Sequence, residues 1–346
     1  MSNFVKSAAK GSISKRVIAF SLSLVIAVSM ISCFSATSVS AATNYGSTIT
    51  ATSSTKTLYP GDYLQNGDYK AILQSDGNFV VYKKSTGAAV WHLGTYYCGS
   101  YSNYRLAIQS DGNLVLYSNK NNSNYWLWAS GTDTASYTCD NGYYFSLGLS
   151  TEGQLTLEQT YKGMSSTKIT TWYSGSNRSR WHTESLYQQN YSGNLNGSSW
   201  SISGYGCALT SYTMVYNLYK GTSYAPTNLN YSPYVVGGST QWKGLLSSDK
   251  IICNYNTSSE AATKIADALQ HSPVIVCLES NSGNTHFVVV NRCTKDKNIT
   301  TSDLLVNDPN KHAGSTTLTD AMNCHRNNYG SCFVDNFRKW SCSCNF

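Results

Sequence analysis

The chain has 346 residues, of which 12% are charged, with 25 Lys and Arg against 18 Asp and Glu and a formal net charge of +7. Four of the basic residues, Lys6, Lys10, Lys15 and Arg16, fall in the first forty positions, where no acid occurs, so the remainder carries 21 basic against 18 acidic groups, a net of +3. So small an excess excludes nucleic acid as a partner, and a length beyond what one core usually serves predicts two domains.

The four amino-terminal cations lead into the apolar stretch Val17 to Ile31 and then into small residues at Val39, Ser40, Ala41 and Ala42. This order predicts a secretory signal peptide over residues 1–41, cleaved after Ala41. Met30-Ile31-Ser32-Cys33 loosely resembles a lipobox, so a lipid anchor at Cys33 is the alternative. No other segment approaches the ~20 consecutive apolar residues of a membrane span. The expected protein is therefore secreted or cell-surface associated, with no transmembrane span in the mature chain. Ten cysteines follow the signal, which favours disulfides in an exported chain. Cys98 and Cys139 are the only pair available in the first half; pairing among Cys253, Cys293, Cys324, Cys332, Cys342 and Cys344 is not fixed by sequence. Cys277, in the apolar run Val274 to Leu278, reads as a buried free thiol. Cys324, His325, Cys332 and the Cys342/Cys344 pair match no standard zinc spacing, so neither a metal nor any other cofactor is expected.

Between residues 44 and 176 one phrase occurs twice, as Gln74, Asp76, Asn78, Val80, Tyr82 and as Gln109, Asp111, Asn113, Val115, Tyr117, each with Ser-Asp-Gly between Gln and Asn. A second marker recurs three times, at Trp91 to Thr95, Trp128 to Thr132 and Trp172 to Ser176. Short β-prone runs alternate with turn residues between the markers, predicting three small sheets. No such sheet buries its apolar face alone, so three packed about a pseudo-threefold axis would share a core containing the Trp residues. Asp-Gly turns each hairpin, and Asn78, Val80 and Tyr82 then share one face of the outgoing strand. Carboxylate, amide and phenol groups around a small apolar floor suit neighbouring sugar hydroxyls and need no metal. At the third position Ser150, Glu152, Gln154, Thr156 and Glu158 replace the phrase and predict a site that does not bind.

The two full copies resemble the Gln-x-Asp-x-Asn-x-Val-x-Tyr motif of the bulb-type mannose-binding lectin domain, together with the leading Gly61-Asp62, Gly67 and Tyr69. The resemblance implies a β-prism of three pseudo-symmetric four-stranded sheets and mannose-containing glycans as partners.

Near Ser174 to Arg180 the repeat gives way to a polar connector, and residues 182–346 carry mixed signals. Helices are predicted over Cys207 to Tyr219 and Ala261 to Leu269, and strands over Val274 to Leu278, Phe287 to Val290 and Leu304 to Val306, an α+β arrangement. Cys207 follows Gly204-Tyr205-Gly206 at a helix start, where the positive dipole end favours the thiolate. His286 opens one strand and is placed to act as base, while Asp308, at the end of another, would hold its ring. Gln189 is the expected oxyanion donor, with Gln188 a close alternative.

The order Gln, then Gly-Cys-Ala-Leu-Thr-Ser, then His-Phe-Val-Val-Val, then Val-Asn-Asp-Pro resembles the papain-like cysteine peptidases related to the bacteriocin leader-processing family. Ala208 and Leu209 depart from that family's Gly-Pro. The whole predicts a multidomain chain: signal peptide 1–41, all-β prism 44–176, and an α+β papain-like cysteine peptidase domain 182–346 with a Cys-rich tail. The expected function is a glycan-targeted hydrolase of a peptide or isopeptide bond in a peptide or protein substrate, acyl transfer being served by the same residues. The alternative is a non-enzymatic mannose-binding adhesin or antibacterial lectin with an inactive second domain.

Overall fold

Alternating side chains in the first half each need an apolar face covered, and the chain meets that need with three antiparallel four-stranded sheets. The computed structural model describes residues 41–95, 101–164, 166–242, 251–252 and 258–339; the predicted signal up to residue 40, with Cys33, lies outside them. The first three strands go to three different sheets. Strand β1 (Thr48–Ala51) pairs with β10 (Tyr143–Leu149), β2 (Lys56–Leu58) with β7 (Ser102–Ile108), and β3 (Tyr63–Asn66) with β4 (Tyr69–Leu73). Sheet I is completed by β5 (Phe79–Lys83) and β6 (Ala89–His92), sheet II by β8 (Leu114–Lys120) and β9 (Ser123–Ala129), and sheet III by β11 (Leu155–Tyr161) and β12 (Lys168–Tyr173). This interleaving matches the prism expected from the sequence.

Alternation sends Phe79 and Val81, Leu114 and Leu116, and Leu155 and Leu157 inward, all nearly inaccessible. Trp91, Trp128 and Trp172 meet at the centre, with Trp172 edge-on to the other two at centroid separations of 5.9 and 5.7 Å. Edge-to-face contact sets the positive ring edge of one indole on the negative face of another. The turn glycines lock the sheets together. Gly77, Gly112 and Gly153 have φ of +84°, +85° and +85°, and a Cβ on each would lie 2.4, 2.5 and 2.5 Å from the rings of Tyr104, Phe145 and Tyr69. Each turn thus sits under an aromatic ring of the next sheet in the cycle.

The polar connector is itself structural. Residues Ser179–Trp181 form β13, which pairs with β9 on one side and with β18 (Thr285–Cys293) on the other. Sheet II thereby continues into the second half as a ten-stranded sheet. Beyond β13 and β18 it adds β17 (Val274–Glu279), β20 (Phe333–Lys339) and β16 (Ile251–Ile252), with β19 (Leu304–Asn307) also on β18. A separate hairpin is formed by β14 (Val235–Val236) and β15 (Ser239–Thr240). Helices α1 (Ile202–Tyr205), α2 (Cys207–Lys220), α3 (Ser258–Leu269) and α4 (Leu318–Tyr329) complete the mixed second half. Trp181 is buried at the junction, where its indole N–H donates to the Leu269 carbonyl at 2.8 Å.

Cys139, Cys207, Cys277, Cys293, Cys324 and Cys332 are free thiols. The expected partnership of Cys139 with Cys98 is not formed: the Cys139 thiol is buried 3.6 Å from the Ala51 carbonyl oxygen, and Cys98 lies outside the described residues. Cys253, Cys342 and Cys344 lie outside them too. Cys277 is buried, which pushes its thiol well up.

The packing of Gly112 beneath Phe145 gives a direct test. Gly112→Ala should destabilise the chain by about 2–4 kcal/mol, from positive-φ strain plus overpacking, whereas Gly131→Ala, with φ +68° and no atom within 4 Å, should cost only about 1 kcal/mol from strain. Urea denaturation of the two variants compares them, and equal shifts would contradict the interlocked turns.

Candidate functional site

The two copies of the repeated phrase fold alike. In the first, the Gln74 amide donates to the Tyr82 hydroxyl at 2.9 Å, and Asp76 Oδ1 accepts the Asn78 N–H at 2.9 Å. In the second, Gln109 donates to Tyr117 at 2.8 Å, and Asp111 accepts the Asn113 N–H at 3.0 Å. The Asp carboxylate thus ties the turn with one oxygen and keeps the other for a ligand. Burial pushes the Asp76 carboxyl above its usual range, against the N–H bonds of Asn78 and of its own residue that lower it.

The Asn side chains are more committed than their place in the phrase implies. Asn78 Oδ1 accepts the Gly94 and Thr95 N–H groups at 3.1 and 3.4 Å, and Asn113 Oδ1 accepts those of Gly131 and Thr132 at the same distances. The Trp marker therefore serves the turn as well as the core: Thr95 and Thr132 hydroxyls each return a 2.7 Å bond to the carbonyls of Gly77 and Gly112. Only the amide nitrogen of each Asn is left for a ligand. The Val floor expected to be open is almost closed, Val80 and Val115 being 2% and 3% exposed. At Val80 the directly opposed residue is His92, whose ring lies 4.9 Å from that of His271 in the second half.

The third position differs in chemistry. Ser150 Oγ is taken by the N–H groups of Glu152 and Gln154, and Glu158 is paired with Lys168 at 3.0 Å. Phenol and Gln–Tyr bond are both missing, consistent with a turn that has no binding role.

In the second half, Cys207, His286 and Asp308 come together in a cleft of about 690 Å³. Ser201 caps α1 by accepting the Gly204 N–H at 3.1 Å, and Gly206 then joins α1 to α2. A Cβ on Gly206 would lie 2.5 Å from the Ile202 carbonyl oxygen, so the close turn before the cysteine requires glycine. Cys207 opens the 14-residue α2, at its positive dipole end. The Ser211 hydroxyl, one turn on, donates to the Phe287 carbonyl at 3.1 Å and fixes the helix against β18 beside His286.

His286 Nε2 bonds Asp308 Oδ1 at 2.8 Å, which leaves Nδ1 as the ring nitrogen available to Cys207 in the same cleft. Asp308 is 6% exposed; its Oδ1 also accepts the Asn310 N–H at 2.8 Å, while its Oδ2 is buried without a partner. Burial alone would push the Cys207 thiol up, but the hydrogen bond and charge of His286, with the N–H groups of Phe287 and Ala208, outweigh it and the thiol is lowered. His286 is likewise opposed by burial, yet its bonds to Asp308 and Cys207 push it up to about 10. The arrangement favours a thiolate beside an imidazolium, a pair suited to nucleophilic attack and proton return.

Gln189, the expected oxyanion donor, is not in the cleft. Its amide donates to Asn310 Oδ1 at 2.9 Å and its carbonyl accepts the Lys311 N–H at 3.0 Å. Gln188 takes the place instead. Its backbone N–H donates to the Pro309 carbonyl at 2.9 Å, which turns its side chain into the cleft, where Nε2 donates to the Ser203 carbonyl at 3.1 Å. Neighbouring glutamines on a tight turn point opposite ways, and composition could not say which points inward.

Sequence reasoning missed the far wall, supplied by α4. His325 is 3% exposed, donates through Nε2 to the Asn284 carbonyl at 3.1 Å, and lies nearly parallel to the His286 ring at 6.4 Å. The bond to a carbonyl requires the protonated nitrogen there. Trp200 and Tyr205 form an exposed aromatic rim on the other side. An apolar run marks none of these.

No protein-family model and no curated protein matches the chain. Among solved structures, it is similar to monomeric mannose-binding lectins of Gastrodia elata, at 30% identity over 37% of this chain and 96% of that one, with a TM-score of 0.29. A lectin from Allium sativum is 29% identical over 32% of this chain and 91% of that one, with a TM-score of 0.27. The mannose-specific agglutinin of snowdrop, Galanthus nivalis, solved with methyl-α-D-mannoside, is 27% identical over 32% and 87%, with a TM-score of 0.25.

Proposed function

We propose that the chain is an exported, glycan-targeted cysteine peptidase. The prism holds mannose-type sugars at the two intact phrases, and a papain-like second half hydrolyses a peptide or isopeptide bond. One observation carries the catalytic part: the imidazole of His286, held by the buried Asp308, lines the same cleft as Cys207 at a helix start. Attack by the Cys207 sulfur on the scissile carbonyl forms a tetrahedral oxyanion. Gln188 Nε2 and backbone N–H groups at the start of α2 are the donors nearest that charge. The His286 imidazolium then protonates the leaving amine, and in its neutral form takes a proton from water to release the acyl group. Asp308 keeps the ring oriented and stabilises its charge throughout.

The sugar-binding part rests on the paired Gln–Tyr and Asp–Asn hydrogen bonds repeated in sheets I and II. Each site is shallow, so two on one rigid prism gain on dense glycans through multivalency. Replacing both phenols, Tyr82→Ala with Tyr117→Ala, should abolish retention on a mannan column, and undiminished retention would refute the two sites.

The ion pair predicts a pH profile. Because His286 lowers the Cys207 thiol, half-maximal alkylation of Cys207 by iodoacetamide should fall below the ordinary thiol value of 9.0. In His286→Ala, burial is no longer opposed by the imidazole, and the half-maximum should move above it. Labelling followed by mass spectrometry reads both; a profile indifferent to His286 would contradict the pair.

The two glutamines separate by kinetics. Gln188→Ala should slow acylation of Cys207 by a nitrophenyl ester by about 10²-fold or more, as for loss of one oxyanion donor. Gln189→Ala should leave that rate within about threefold, since its bonds run to Asn310 and Lys311 rather than into the cleft. The reverse ranking would return the role to Gln189.

A further inference from the structure

The outer face of sheet II does not end at the second sugar phrase. Val115 lies opposite Ala129, Ala129 opposite Arg180, and Arg180 opposite Arg292, so one cross-strand row runs from the floor of the site over β9 and β13 to β18. Directly opposed residues share a face, and inward Trp128 and Trp181 confirm by alternation that Ala129 and Arg180 point outward. A parallel row places Arg105 opposite Tyr117 and Tyr117 opposite Trp126. The Arg105 guanidinium lies 4.9 Å from the centre of the Tyr117 ring, and that of Arg180 lies 4.9 Å from Trp126. Three of the seven arginines in a chain poor in charge therefore lie on the two rows that run through one sugar phrase.

Like charges directly opposite on neighbouring strands are destabilising unless something of opposite sign relieves them. Among the described residues neither Arg180 nor Arg292 is in an ion pair, and Arg292 Nε is buried without a partner. Strand spacing sets the Arg180 Cα about 10 Å from that of Val115. Its side chain leans over Trp126, next to the phenol of the phrase, within reach of a substituent on a sugar held there.

We infer that the second sugar site is extended by Arg180 and Arg292 to take an acidic glycan, a mannose-type sugar carrying or adjoining a phosphate, sulfate or carboxylate. The guanidinium fork matches the paired oxygens of all three anions. The first site has no such extension: its sheet ends at β6, and His92 and His271 occupy the corresponding flank. The inference rests on the sugar-binding reading of the phrase and adds the charge of the ligand.

Isothermal titration of the full mature chain with methyl α-mannoside, mannose 6-phosphate and a mannuronate oligomer tests it. Mannose 6-phosphate should bind about tenfold tighter than the neutral mannoside at low salt, an advantage that shrinks as salt screens it. Arg180→Gln with Arg292→Gln should remove the advantage and leave the neutral mannoside unchanged. A gain for mannose 6-phosphate alone assigns the site to tetrahedral oxyanions, and a gain for both acidic ligands assigns it to acidic glycans at large. Equal affinity for all three, or a gain that survives in the double variant, overturns the inference with the sugar sites intact. Failure of all three ligands to bind the unaltered chain overturns the sugar-binding reading as well.

Discussion

Three residues of extended backbone, Ser179–Trp181, hold the two halves in one sheet. Strand β13 bonds to β9 of the prism and to β18, the strand that carries His286. The register leaves no freedom in how the outer face of sheet II continues: Trp181 points into the core and anchors on the Leu269 carbonyl, so Arg180 must point out. The same junction is reinforced from the side by Arg178 on Asp296, Gln270 on Asn177, and Asn307 on the Thr183 carbonyl. A sheet shared in this way makes the prism a rigid wall of the second half rather than a tethered neighbour, because sliding one against the other would break the hydrogen bonds on both sides of β13.

The thiol site shows what burial alone would do and what reverses it. Desolvation disfavours both charges of a thiolate–imidazolium pair. It is overcome at Cys207 by His286, two backbone N–H groups and a helix start, and at His286 by a buried carboxylate. Cys277, on the neighbouring strand opposite Phe287, is buried without such partners and is driven the other way. Two thiols, one at a helix start and one within a strand, thus differ in ionisation because only one faces an imidazole.

The prism and the thiol cleft solve the same problem of holding polar groups without losing the core. In sheets I and II the motif Asn spends its carbonyl on the N–H groups that follow the core Trp, so the repeated phrase and the hydrophobic centre are one connected unit. In the cleft, β19 and the Pro309 carbonyl position Asp308 and Gln188 together. Single substitutions in either place therefore disturb structure and chemistry at once.

The repeat, the Asp-Gly turns and the order of Cys207, His286 and Asp308 were legible in the amino-acid sequence because each depends on local spacing: a positive φ, an alternating strand, a helix start. The predicted helix from Cys207 and the strands around Val274, Phe287 and Leu304 were legible for the same reason, each having a regular apolar face. Helix α4 was not, since its buried face is Leu318, Ala321, Met322 and a histidine, too polar to register as periodic. Nor was β13, three residues long and read as connector. Which of Gln188 and Gln189 enters the cleft, the closing of the Val80 and Val115 floor, and the row from Val115 to Arg292 were decided only by tertiary structure. Each is a matter of which segments lie side by side, and contacts such as Gln188 with Pro309 or Arg180 with Arg292, more than a hundred positions apart, leave no trace in local spacing.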